Sequence, residues 1–102
     1  MKATDEIKKE FLDAEPTEEL IKTNDIKKGD LFVETNGWFG EMIDNMKGNI
    51  RLANIHGLFT EMGSIYAWDI AQVCKNGKIY DVELTSKQEK DKERCSLFGN
   101  IW

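Results

Sequence analysis

Two Asn-Gly dipeptides, Asn36-Gly37 and Asn76-Gly77, each sit between runs of β-branched and aromatic residues, and they constrain this chain more than any other feature. Both residue types tolerate positive φ, which a tight hairpin turn demands. On this reading "LFVET" (31–35) meets "WFGEMID" (38–44), and "AQVCK" (71–75) meets "KIYDVEL" (78–84). "IRLANIH" (50–56) is a fifth strand, entered through the turn "NMKGN" at 45–49. A two-residue turn sets Thr35 against Trp38, Val33 against Gly40 and Leu31 against Met42. Phe32, Glu34, Phe39, Glu41 and Ile43 then share the opposite face. In the second hairpin Val73 faces Tyr80. Gly40, in mid-strand, permits a bend or a close backbone approach.

The flanks read as helical. "TDEIKKEFLDA" (4–14) places Ile7, Phe11 and Ala14 on one side, with Asp5 and Glu6 suited to the first turn. Pro16 suits the start of a second helix, "TEELIKTN", burying Leu20 and Ile21. These helices form either a lid on the strands or a partner-binding arm. Thr85-x-x-Gln88 and Ser86-x-x-Glu89 both have capping-box spacing, so "SKQEKDKERC" reads as a solvated helix. The apolar end, Leu97, Phe98, Ile101 and Trp102, either folds back or meets a partner. The organisation expected is residues 1–25 helical, 26–84 a β-domain, and 85–102 a helical tail.

At 102 residues, with 40% apolar residues, the chain is long enough for a single core. No run approaches the roughly 20 apolar residues of a membrane span, and Cys74 and Cys95 form no Cys-x-x-Cys pair. The expectation is an intracellular protein with reduced thiols. The net charge is −5. Between residues 31 and 84 the only bases are Lys47, Arg51, Lys75 and Lys78, which weighs against phosphate binding as the main role.

Two resemblances add to this. "KKGDLFVETNG" (27–37), with Gly29, Asp30, Phe32 and Gly37, resembles the KOW-type entry into an SH3-like barrel. A longer stretch resembles small proteins encoded by tailed bacteriophages. It comprises Asn36, Gly37 and Trp38, then Asp44, Asn45, Gly48, Asn49 and Arg51, then Gly63 to Ile70 with Trp68 at a variable place. That likeness spans roughly residues 26–88. Together these imply a mainly β (α+β) fold: a small five-stranded SH3-like antiparallel barrel with N-terminal helices and a C-terminal helical tail. They also imply a viral accessory protein in the host cytoplasm, binding a host protein as monomer or homodimer. A KOW-like nucleic-acid or ribonucleoprotein-associated module is the second reading.

Candidate chemistry is sparse. His56 is the sole histidine, so neither a zinc site nor a Cys74–His56 nucleophile pair has support, and a turn-bonding role is expected of it. No metal, cofactor or catalytic residue is assigned. Asp44 reads as a turn residue. Asp69 is expected to accept backbone N–H bonds or to pair with Arg51. The loop "HGLFTEMGSIY" (56–66) is expected to close the barrel. Trp38, Phe39, Arg51, Phe59, Tyr66 and Trp68 are the residues expected to meet a partner, because aromatic and arginine side chains dominate interface energetics.

Overall fold

The computed structural model describes residues 4–57 and 59–99. Helix α1 (Thr4–Asp13) buries Ile7 fully and sets Phe11 edge-on against Phe39, with ring centroids 5.2 Å apart. Seven strands follow: β1 (Glu15–Lys22), β2 (Leu31–Glu34), β3 (Phe39–Asp44), β4 (Ile50–His56), β5 (Thr60–Tyr66), β6 (Ile70–Lys75) and β7 (Lys78–Glu83). Helix α2 (Ser86–Gly99) ends the described chain. The strands form one mixed sheet in the order β1-β7-β6-β2-β3-β4-β5.

This corrects the expected five-stranded SH3-like barrel. β1 and β5 are both edges and do not pair with each other, so the sheet stays open. It nevertheless curls around a single apolar cluster. Phe32, Met42, Ala53, Ile65 and Val73, from five different strands, meet Ile26 and Ile70, with Ile21, Ile55 and Val82 packed against them. Among the described residues no helix is long and apolar enough to cross a membrane.

The expected second N-terminal helix is a strand instead. β1 runs parallel to β7, with an irregularity between Pro16 and Leu20. An eight-residue helix is marginal in water, whereas pairing with β7 satisfies the backbone and brings Ile21 onto the core. At a sheet edge the missing N–H of Pro16 costs little. The Thr17 hydroxyl spans the irregularity by donating to the Ile79 carbonyl at 2.8 Å.

The two Asn-Gly turns fold differently. Asn76 (φ 54°) and Gly77 (φ 73°) both take positive φ, and Val73 faces Tyr80 as expected. At the first turn only Gly37 does, at φ 90°. There Gly37 N–H donates to the Glu34 carbonyl at 2.9 Å and Glu34 N–H to that of Trp38 at 2.7 Å, which leaves three residues in the loop. The Asn36 side chain accepts the Trp38 N–H at 2.9 Å instead of freeing its backbone for a tighter turn. The register moves by one as a result: Phe32 faces Gly40, and Leu31 faces Glu41. Since alternate residues face opposite ways, Phe32 joins Met42 in the apolar cluster, while Leu31, also buried, and Val33 lie on the other face.

One end of the curled sheet is closed by a polar hub. Arg51, fully buried, donates from Nη2 to Asn24 Oδ1 at 2.8 Å, from Nε to the Gly48 carbonyl at 3.2 Å, and from Nη1 to the Thr23 carbonyl. Asn45 Nδ2 donates to the carbonyls of Thr23 and Ile26. Gln88, held by the expected capping box with Thr85, adds a 3.3 Å bond to Asn24 Oδ1. The hub thus joins the end of β1, the β3–β4 turn, β4 and α2.

Candidate functional site

The outer face of β4 and β5 carries three exposed apolar side chains, Ile50, Met62 and Tyr66. The antiparallel register of the two strands sets Ile50 against Tyr66, Leu52 against Ser64, Asn54 against Met62 and His56 against Thr60. Residues two apart share a face, so these eight lie together. α1 reaches this face at its His56 end, where the Thr4 hydroxyl lies 3.0 Å from His56 Nδ1. Toward the other end Ile50 is 52% exposed, Met62 63% and Tyr66 43%. Tyr66 stacks on Trp68 with ring centroids 4.7 Å apart and planes 8° from parallel.

A short 3-10 turn at Ala67–Asp69 sets that stack. Asp69 Oδ2 accepts the Tyr66 N–H at 2.9 Å, fixing the turn that folds Trp68 back over Tyr66. Asp69 therefore takes the backbone role, and Arg51 bonds elsewhere. Asp44 likewise accepts a turn N–H, that of Met46, at 3.0 Å.

The six residues expected to meet a partner separate into three groups. Tyr66 and Trp68 form the stacked pair. Phe59, 80% exposed, and Trp38, 44% exposed, lie toward the opposite end of β5, about 20 Å away at the usual strand rise. Trp38 rests on Gly57, where a methyl group would lie 2.6 Å from the indole ring. Phe39 and Arg51 form the third group, of which Arg51 is a correction. Phe39 is half-buried beneath Phe11, and Arg51 has no exposed surface because its guanidinium ties β4 to the Thr23–Asn24 segment and to the Gly48 turn. Burial also draws its pKa below the ordinary arginine value.

Ile50 and Met62 belong to the exposed face and were not anticipated. Their signal was the alternation Ile50-x-Leu52 with a solvent face opposite the buried Arg51 and Ala53. Sequence reading takes such residues for core.

The nucleophile pair does not form. β6, which carries Cys74, is separated from β4, which carries His56, by β2 and β3, or about 14 Å at normal strand spacing. His56 Nδ1 lies within hydrogen-bond distance of the hydroxyls of Thr4 and Thr60, so the ring ties α1 and β5 to β4. Beside Cys74 is a cleft of about 380 Å³ lined by Glu10, Asp13, Asp30 and Lys75 among others. Two of its polar groups are turned on one another. Lys75 Nζ lies 3.2 Å from Asp30 Oδ2, which also accepts the Lys27 N–H at 2.8 Å.

Glu34 is the one strongly buried carboxyl near the aromatic pair. It is 8% exposed, and its Oε2 has no hydrogen-bond partner. Burial, and then the charge of Asp69, raise its pKa above the ordinary 4.5. The ionised form is therefore the costly one in the folded protein. Stability from this group is greatest below the ordinary pKa and is lost as pH rises through the folded value. Glu34→Gln removes that cost, and its amide can donate toward Asp69. Denaturant melts should show the variant about 1 kcal/mol more stable at pH 7–8, with the gain vanishing near pH 4. A constant difference across that range would mean that ionisation of Glu34 is not the source.

Comparison with family models, with curated proteins and with solved structures finds no match to this chain, and the reading of the site rests on its own residues.

Proposed function

We propose that this chain is a non-enzymatic binding protein that engages another protein through the outer face of β4 and β5. The observation that carries this is the Tyr66–Trp68 stack, held by Asp69 and flanked by exposed Ile50 and Met62. Stacked aromatics held in place by a turn present large apolar area at little entropic cost, which is the character of an interface hot spot. Asp69 beside it, on a chain of charge −5, favours a basic partner surface. The likeness to tailed-phage proteins makes a host protein, met in the host cytoplasm during infection, the expected partner. Binding would act by occluding that protein or altering its complex.

The test is retention of host proteins from infected cells on the immobilised chain, followed by affinity measurement with the purified partner. Tyr66→Ala should weaken binding roughly 30-fold, the effect of losing an interface hot spot of about 2 kcal/mol, while Leu20→Ala on the far edge strand leaves it unchanged. Retention of no host protein, or equal binding by Tyr66→Ala, overturns the proposal. So does steeply salt-dependent binding of RNA or DNA in place of a protein, which would restore the KOW-like reading.

A further inference from the structure

The two edges of the sheet are not alike. β1, "EPTEELIK", has the devices that keep an edge from pairing: a proline, four charged side chains and a break in register. β5, "TEMGSIY", is regularly paired to β4 over its whole length and has Glu61 as its single charge. Residues 60, 61, 62, 64 and 66 are exposed.

The hydrogen bonds at the ends of β5 fix which of its backbone groups face outward. Gly57 N–H donates to the Phe59 carbonyl at 3.2 Å, and Ala67 N–H to the Asn49 carbonyl at 2.7 Å. Both pairs are in register with the β4–β5 ladder, and bonded pairs alternate along an antiparallel ladder. Glu61, Gly63 and Ile65 therefore bond β4. Thr60, Met62, Ser64 and Tyr66 turn their N–H and C=O groups away from it. Tyr66 agrees, since its N–H goes to Asp69 rather than to Ile50.

From this geometry we infer that β5 pairs antiparallel with β5 of a second copy, about a two-fold axis at Gly63. In that register Met62 and Ser64 of opposite copies exchange both of their bonds. Thr60 N–H donates to the carbonyl of the other copy's Tyr66, whose own N–H is already capped by Asp69. Side chains alternate large against small on the outer face, Met62 beside Ser64 and Tyr66 beside Thr60. Glu61 falls opposite Ile65, which separates the two Glu61 charges by about 13 Å along the strands. Gly63 meets Gly63 at the axis, where no side chain obstructs the backbones. This match is a property of β5 against itself, and it favours a second copy over a foreign strand. The two open sheets become one, and their outer faces form a single doubled platform. The inference rests on the edge backbone and stands independently of any host partner.

Sedimentation equilibrium of the full chain from roughly 1 µM to 1 mM should show a monomer–dimer equilibrium. Ser64→Pro removes an outward N–H that the β4–β5 ladder does not use, so the variant should fold and associate at least tenfold more weakly. Met62→Lys, which places like charges beside the axis, should do the same and serves if the proline variant fails to melt cooperatively. Amide exchange at Met62 and Ser64 should slow with rising wild-type concentration. A wild-type chain that stays monomeric throughout overturns the inference. So does a folded variant that dimerises as well as wild type.

Discussion

Replacing Arg51 by alanine should lower the unfolding free energy by about 4 kcal/mol, the largest effect expected of any single change in this chain. Two losses combine. The alkyl stem leaves a void at the closed end of the sheet, and the guanidinium no longer reaches Thr23, Asn24 and Gly48. Arg51→Met separates them, since it refills most of the volume but supplies no donor. Part of the polar network survives in either variant. Asn45 still donates to Thr23, and Gln88 to Asn24. The Gly48 carbonyl loses its donor, and β4 loses its tie to the end of β1. The methionine variant should therefore remain about 2 kcal/mol below wild type, a fall in Tm of roughly 8–16 °C for a domain of this size. Buried ionic groups are sometimes replaced by apolar ones with no loss. A methionine variant as stable as wild type would place Arg51 in that class and deny the hub its structural role.

Gly40→Ala should cost about 2–3 kcal/mol, for a reason of shape. A methyl at this position would lie 2.4 Å from Phe32 Cζ, 2.6 Å from Phe32 Cε1 and 3.1 Å from the Asn54 carbonyl oxygen. Phe32 is fully buried at the centre of the apolar cluster and has nowhere to swing. Its ring occupies the space that a cross-strand side chain would fill, so the pair Phe32–Gly40 works as one large residue and one absent one. Shortening the partner should relieve the clash. The double variant Gly40→Ala/Phe32→Leu should be more stable than the sum of the single changes predicts, by at least about 1 kcal/mol in denaturant melts. Strict additivity would show that the two positions do not share this space.

The same two positions mark what can be read from a sequence and what cannot. That Gly40 needs a close neighbour follows from a glycine inside a β-prone run, but which neighbour depends on a single residue of register. Asn36 decided it by spending its side chain on the Trp38 N–H, a contact to which turn propensity is blind. Asn76-Gly77 made no such bond among the described residues, and there the expected pairing of Val73 with Tyr80 is present. The two edge strands were missed for opposite reasons. In β1, Pro16 and the run of glutamates imitate the start of a helix, and only β7, some sixty residues on, makes a strand of it. In β5, Gly63 and Ser64 break the alternation that would have betrayed a strand.

For the candidate site, aromatic identity was informative and exposure was not. Tyr66, Phe59 and Trp38 are exposed, Trp68 and Phe39 are both half-buried, and Arg51 is taken up by folding. Arginine in a strand with apolar neighbours looks the same from the sequence in either role. What separates them is whether backbone carbonyls converge on it, and that depends on where β1 ends. The question of the apolar side chains from Leu97 to Trp102 lies outside the described residues.

The pairing of β1 with β7 also sets an order of events. Residues 15–22 leave the ribosome before residues 78–83, their only strand partner among the described residues. During synthesis the five strands between them can pair with one another while β1 waits, tethered and unpaired. Its acidic side chains and proline then have a second use, keeping a waiting strand from sticking to the wrong neighbour. β7 is thus the clasp for β1, and contacts this distant in sequence are the slowest to form. Arrival of the hairpin at Asn76-Gly77 is the step that commits the N-terminal segment to its place.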